Sequence, residues 1–197
     1  ANVRTTLPTR PNDGRTAMER LDITQELRDE HDLILEWVDL IETLARLSRG
    51  SFSESPLAIH FPVIDEFLGL YSDRFHHAKE EDVLFGVLER AITHCGPIPV
   101  MLHEHALGRA LRTRMVEAFG ARDLENLVRA CREYCGLLTQ HIAKENHVLY
   151  PMAEQSVPDE ERRPILDAYA AAALRHDARA LRARFERERD ALRAKLG

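Results

Sequence analysis

The chain of 197 residues lacks several features that would assign it to a familiar class. It contains no apolar run of about 18 residues, the length that a transmembrane helix requires. Its first residues, ANVRTTLPTRPNDGR, have no apolar core of the kind that a secretory signal peptide carries. We therefore expect a cytoplasmic protein that makes no membrane contact.

Cysteine is scarce and basic residues do not dominate. The three cysteines, Cys95, Cys131 and Cys135, form neither a disulfide framework nor a zinc-knuckle pattern, so we expect small buried apolar side chains. Lysine and arginine number 27 against 33 acidic residues, for a net charge of −6. This balance argues against nucleic acid as a partner.

Sustained alternation of apolar and polar residues, the pattern of β-strands, is also missing. Apolar residues recur instead at helical spacing, and glycine and proline interrupt the pattern at a few places. The pattern predicts helices near residues 22–49, 56–93, 98–119, 122–156 and 159–195.

These helices predict an all-α fold with three parts. Residues 21–157 are expected to form an up-down-up-down four-helix bundle with inward-facing ligands. Residues 1–20 show no clear periodicity and are expected to be an irregular N-terminal arm. Residues 158–197 are expected to form one additional C-terminal helix that packs on the outside of the bundle.

An internal repeat identifies the candidate functional residues. Residues 76–85 read HHAKEEDVLF and residues 141–150 read HIAKENHVLY, so His76 aligns with His141 and Glu80 with Glu145. The pairs Glu30-His31 and Glu104-His105 are also alike, and each begins a predicted helical hairpin whose second helix carries the His-x-x-x-Glu segment.

The repeated residues have the chemistry of a metal site. Positions four apart on a helix differ by only about 40°, so each His-x-x-x-Glu pair shares one face. With His31 and His105, the chain offers four imidazoles and two carboxylates. We expect two histidines on each of two metal ions, with Glu80 and Glu145 bridging them. This nitrogen and oxygen set suits iron or manganese better than structural zinc.

The other histidines are weaker candidates. A lone histidine on an apolar helix face is more often a core residue than a ligand, and only the repeated context overrides that interpretation for the set above. His77 and Glu81 lie at the fringe of the inner face and are possible extra ligands. We expect the remaining histidines to point away or to lack a carboxylate at ligand spacing: His60, His94, His103, His147 and His176.

A ferritin-like di-iron bundle is a less suitable interpretation. Such proteins use Glu-x-x-His segments, and none of the ten histidines has a glutamate three residues before it.

The combination of His31, His76-x-x-x-Glu80, His105 and His141-x-x-x-Glu145 resembles the hemerythrin-like HHE cation-binding proteins over residues 25–153. The resemblance implies a four-helix bundle holding a non-haem di-iron centre, bridged by solvent or oxide. It also implies that this centre meets dioxygen, nitric oxide or peroxide.

The chain departs from the oxygen-carrying members at two places. Those proteins have a further histidine four residues after the third-helix ligand and an aspartate in the last helix. Here Arg109 and Glu145 stand instead. The ligand set is closer to that of the iron-cluster repair proteins and the iron- and oxygen-sensing branch, but the sequence shows no cysteine-bearing N-terminal domain like that of the repair proteins.

Unusual residues are predicted to project inward at one end of the bundle. We expect Arg109, Arg112 and Tyr134 to line a small polar channel to the metals, with Glu42 pairing an arginine and with Arg109 and Tyr134 as candidate catalytic residues. Gly69 and Gly108 would leave space there. The alternative is an ion pair that closes the bundle, with Tyr134 simply packed.

Several functions remain open on such a site. One is reversible binding or sensing of a diatomic gas, and another is an enzyme that scavenges peroxide or oxidises a small-molecule substrate. Iron storage, cluster repair and a purely structural metal are further alternatives. A set of four histidines would favour oxidation chemistry over clean reversible binding, and the sequence does not indicate an oligomeric state.

Overall fold

The computed structural model describes residues 20–92 and 96–196, and these residues form helices and short connections without a β-strand. The predicted arm lies, apart from Arg20, outside the described residues, as do His94 and Cys95. The helices are α1 (Gln25–Leu47), α2 (residues 56–91), α3 (Ile98–Gly120), α4 (residues 124–156), α5 (Asp159–Arg175) and α6 (Ala178–Leu196).

Helices α2 and α4 contain wider turns in which hydrogen bonds join residues five apart. These π-helical segments are Phe67–His77 and Glu80–Leu84 in α2, and Glu145–Leu149 in α4. Pi-helical turns are rare and frequently lie at functional sites. Here they contain, or begin at, predicted ligands in both copies of the repeat.

Local capping explains where two of the core helices begin. The Ser55 hydroxyl accepts a hydrogen bond from the Ala58 amide, and Pro56 occupies the first turn of α2. Asp123 caps α4 by accepting a hydrogen bond from the Asn126 amide. The all-helical prediction is confirmed, and the predicted helix bounds agree with the structure to within a few residues over the core.

Helices α1 to α4 enclose two apolar clusters with a polar layer between them. The first cluster centres on Trp37, Phe67 and Tyr71, and the second on Leu84, Ile98 and Tyr150. In α1 the chain passes from Leu27 in the second cluster to Leu33 in the first, with His31 between them. The predicted ligands therefore lie where the two clusters meet.

The prediction of one long C-terminal helix is wrong. Residues 159–196 form two helices, α5 and α6, because Asp177 adopts a left-handed conformation with φ of 46°. Ile165 and Tyr169 of α5 pack in the second cluster, whereas Phe185 and Leu192 of α6 pack in the first. The break lets the two helices cover both clusters.

Cys131 and Cys135 are free and buried, as predicted. In the part of the chain that the structure describes, no helix has both the length and the apolar character needed to cross a membrane.

A buried arginine joins α5 to the bundle. Arg162 is 1% exposed and donates hydrogen bonds to the Leu21 carbonyl, the Glu154 carbonyl and the Glu154 carboxylate. The other carboxylate oxygen of Glu154 accepts from the Ile23 amide. Arg162 therefore ties together the start of α1, the end of α4 and α5.

Replacing Arg162 with methionine should lower the free energy of unfolding by about 3 kcal/mol, because it leaves the Glu154 carboxylate and two carbonyls without their donor. Urea denaturation measures the change. Arg163→Met, at the exposed neighbouring position, is the matched control and should change stability by less than about 0.5 kcal/mol. Equal effects of the two substitutions would contradict the role of the buried arginine.

Candidate metal centre

All six predicted ligands come together at the boundary between the two apolar clusters. His31, His76, Glu80, His105, His141 and Glu145 are each at most 1% exposed. Helices α1 and α3 contribute one histidine each, and α2 and α4 contribute one histidine and one glutamate each.

These side chains form two groups that share a carboxylate. Within each group the candidate ligand atoms lie within 4.8 Å of one another. One group contains His31, His76, Glu80 and Glu145, and the other contains His77, Glu80, His105 and His141. The second group thus holds, besides two of the four predicted histidines, His77, which was predicted as a possible extra ligand.

The spacing of the donor atoms suits metal coordination. His105 Nε2 lies 3.0 Å from His141 Nε2, and His31 Nε2 lies 3.1 Å from Glu145 Oε2. Donors about 2.1 Å from one ion and at right angles to each other lie about 3 Å apart. Glu145 Oε1 lies 3.1 Å from His141 Nε2, so the two oxygens of Glu145 face different groups.

Buried donor atoms without partners support the same interpretation. Protein interiors rarely leave polar atoms unsatisfied, yet five atoms here have no hydrogen-bond partner: His76 Nε2, His77 Nδ1, Glu80 Oε2, Glu145 Oε1 and Glu145 Oε2. Four of the five belong to predicted ligands. A bound cation would satisfy these carboxylate oxygens and imidazole nitrogens, so the donor set fits a metal.

The pKa values of the two central carboxyl groups shift in opposite directions. Burial, reinforced by the charge of Glu145, raises the pKa of Glu80 well above its usual range. Burial acts on Glu145 in the same direction, but the close contacts of its oxygens with the His141 and His31 imidazoles, each at 3.1 Å, outweigh it and hold its pKa well below the usual range. The surroundings therefore favour the neutral form of Glu80 and the charged form of Glu145.

A second layer of residues orients the imidazoles. Its contacts in each copy account for the Glu-His pair and the Lys-Glu pair that recur in the sequence. His76 Nδ1 lies 2.9 Å from Glu30 Oε2, and the Lys79 ammonium pairs with Glu30. In the second copy, His141 Nδ1 lies 3.0 Å from Glu104 Oε2. Lys144 pairs with Glu104. A carboxylate on Nδ1 fixes the tautomer that offers Nε2 to a metal.

The residue after each ligand glutamate orients the other two imidazoles. His105 Nδ1 lies 2.7 Å from Glu81 Oε1, and His31 Nδ1 lies 3.0 Å from Asn146 Oδ1. Glu81 therefore lies in the site as a partner of a ligand histidine, not among the candidate ligand atoms.

His77 breaks the symmetry of the repeat, since Ile142 occupies the aligned position. Its ring stacks on His105 with centroids 4.0 Å apart, and its Nδ1 lies 3.7 Å from Asp73 Oδ1. Burial, assisted by the charge of His105, lowers the pKa of His77 to about 4. The π-helical turn that ends at His77 places this residue inside the bundle together with its neighbour His76.

Tyr150 was not predicted from the sequence. Its buried hydroxyl donates to Glu80 Oε1 at 2.6 Å and lies 3.3 Å from His31 Nε2. Its ring stacks on His31 with centroids 5.4 Å apart. The feature of the sequence that could have identified Tyr150 is the last position of the repeat, where Phe85 aligns with it.

At the place where the channel is predicted, the structure has a pocket of about 20 Å³, room for about one water molecule. Arg109, Arg112, Gly108 and Tyr134 line it together with ligands of the three-histidine group. Gly69 leaves space as expected, because a β-carbon there would lie 2.7 Å from the Arg112 guanidinium.

The arginines of this pocket pair with residues other than Glu42. Arg109 pairs with Asp73 at 2.8 Å and with Glu81 at 2.6 Å, and Arg112 pairs with Asp65 at 2.7 Å. The prediction for Glu42 is wrong, since that side chain is exposed and has no arginine partner among the described residues.

Arg109 instead fixes the carboxylates that orient ligand histidines. Burial alone would raise the pKa of Asp73, but the nearby His77 imidazole and the hydrogen bond from Arg109 hold it at about 2. Tyr134 is 4% exposed, and burial raises its pKa. Both residues line the pocket beside the three-histidine group, and neither belongs to a candidate ligand group.

The other described histidines do not belong to either group. His103, His147 and His176 are exposed and His60 is half-buried.

The comparisons with known proteins agree with this geometry. The family model of the hemerythrin HHE cation-binding domain matches residues 22–153, which contain every residue of the two groups. No curated protein and no solved structure matches the chain with statistical significance. The matched segment covers more than half of the chain and contains all four helices that supply the donors, so this chain belongs to the hemerythrin HHE cation-binding family.

Proposed function

We propose that the chain is a non-haem di-iron protein that binds or senses dioxygen, nitric oxide or peroxide. The observation that carries this proposal is the pair of donor groups that share Glu80 and are joined again by the two oxygens of Glu145. Two groups in such proximity suit two bridged ions better than one.

In this proposal His31 and His76 hold one iron, and His77, His105 and His141 hold the other. Glu80 and Glu145 serve both. The donors are imidazole and carboxylate without thiolate, a set typical of non-haem iron. Manganese suits the same donors, so metal analysis decides between the two. When bound, the two ions supply the electrons and the open position that a small oxygen- or nitrogen-containing ligand requires.

The chain's own residues prepare the site in three ways. Glu30, Glu104, Glu81 and Asn146 fix the four predicted imidazoles. Apolar residues of the two clusters exclude water on both sides. Arg109 anchors Asp73 and Glu81, so it acts as a positioning residue through them.

The size of the pocket supports a small ligand over an organic substrate. A volume of about 20 Å³ beside the three-histidine group accommodates a molecule the size of water or dioxygen. Peroxide scavenging is the enzymatic alternative that this size favours. The burial of every ligand argues against iron storage or donation, for which exposed ligands would be suitable.

Metal analysis and stopped-flow absorbance test the proposal. We expect about two irons per chain, and mixing the reduced protein with dioxygen should give a spectrum that is stable and reverses under vacuum. Rapid decay of that spectrum, or turnover of added peroxide, would establish the enzymatic alternative instead. One ion per chain, or a different metal in the isolated protein, would contradict the di-iron proposal.

The place of His77 in the second group gives a separate prediction. Loss of an outer hydrogen-bond partner of a ligand typically lowers metal affinity about 10- to 100-fold. His77→Ala removes a ligand itself, so it should weaken the binding of one of the two ions by at least that factor. A metal titration monitored by calorimetry measures the affinity for each ion separately.

His103→Ala is the matched control, since that histidine is exposed on α3. It should bind both ions as the original chain does. If His77→Ala also binds both ions unchanged, the allocation of three histidines to one ion is wrong, whereas the di-iron proposal stands.

A further inference from the structure

The last aligned position of the repeat carries a difference that the metal allocation does not explain. Phe85 and Tyr150 are both buried, and each stacks on a ligand histidine, Phe85 on His105 and Tyr150 on His31. The two copies therefore use the same aromatic packing. Only Tyr150 adds a hydroxyl, and that hydroxyl lies at the centre of the site.

The hydroxyl divides the two oxygens of Glu80 into separate roles. Tyr150 donates to Oε1 at 2.6 Å. Oε2 has no hydrogen-bond partner and lies between the two groups, 3.7 Å from His76 Nε2 and 3.5 Å from His105 Nε2. Both oxygens of Glu145, by contrast, are without partners. The carboxylates of the two repeat copies are thus not equivalent.

Tyr150 itself is held firmly in place. The Arg28 guanidinium lies over its ring, 5.1 Å from the centroid, and also donates to the Asn146 carbonyl at 2.9 Å. The ring is fully buried in the second apolar cluster and stacks on His31. The hydroxyl therefore reaches Glu80 from a fixed direction, which is what a residue that controls the carboxylate requires.

We propose that Tyr150 is a positioning residue that restricts Glu80 to metal binding through Oε2 alone. With both oxygens free, a carboxylate that serves both ions through one oxygen could also chelate one of them through the other and take a further metal position. The restriction to Oε2 keeps that position available for a small anionic ligand. This inference rests on the two-metal centre proposed above. It deepens that proposal by identifying the residue that maintains the open position.

Azide titration of the iron-loaded full chain tests the inference. Tyr150→Phe removes the hydroxyl and keeps the ring, so Glu80 Oε1 becomes free to compete with azide. We expect two irons per chain to be retained and the azide affinity to fall by about 10- to 100-fold, the equivalent of one hydrogen bond to a charged group.

Tyr169→Phe is the matched control. Tyr169 is another fully buried tyrosine of the second cluster, and its hydroxyl has no hydrogen-bond partner among the described residues. It lies outside both candidate metal groups. This variant should keep the azide affinity of the original chain. A general effect of removing a buried hydroxyl would lower the azide affinity of both variants equally and would overturn the inference.

Metal content measured in every variant separates the two proposals. If Tyr150→Phe holds two irons and binds azide unchanged, the role of Tyr150 is wrong and the di-iron proposal survives. If the original chain fails to hold two irons, the di-iron proposal itself fails. A visible charge-transfer band that disappears in Tyr150→Phe would show direct metal binding by the phenolate and would also overturn the hydrogen-bonding role.

Discussion

The structure depends on two carboxylates, Glu80 and Glu145, which are fully buried inside the bundle. Such a pair is costly to bury, since desolvation acts on both and their charges repel. The chain reduces the cost by raising the pKa of Glu80, which favours its neutral form, and by placing the His31 and His141 imidazoles 3.1 Å from the oxygens of Glu145. Those same imidazole nitrogens are the ones that a metal would use, so metal binding and folding stability are coupled in this bundle.

The hydrogen bonds behind the ligands show how the two hairpins depend on each other. Two of the bonds lie within a hairpin, from α1 to α2 through Glu30 and from α3 to α4 through Glu104. The other two cross between hairpins, from α2 to α3 through Glu81 and from α4 to α1 through Asn146. Each hairpin can therefore orient the histidine on its second helix by itself. The histidine on its first helix gains its hydrogen-bond partner only when the two hairpins pack together.

The helical class and the proximity of the six candidate ligands could be predicted because the evidence for them was local and repeated. A His-x-x-x-Glu segment places both side chains on one face of any regular helix. His77 was harder, because the wider turns of α2 change the direction of each side chain and one sequence does not reveal them. Tyr150 required knowledge of the facing helix, since its partner Glu80 lies 70 residues away. The prediction for Glu42 was wrong for a different reason. A helical projection gives the direction of a side chain, but it does not show whether a neighbouring helix covers that side chain.

Three departures from internal symmetry make the two candidate donor groups unequal. Asn146 in place of a carboxylate leaves His31 with a neutral partner, whereas His105 has the anionic Glu81. His77 adds a third imidazole beside Asp73 to the group that already has the carboxylate-bonded His105 and His141. Anionic partners make imidazoles more basic and stabilise a higher metal charge. The three-histidine group is therefore electrostatically suited to a highly charged ion, whereas the other group, beside Tyr150, has fewer nitrogen donors. A symmetric duplicated scaffold could not produce this division of roles, but three substitutions within the repeat are enough to do so.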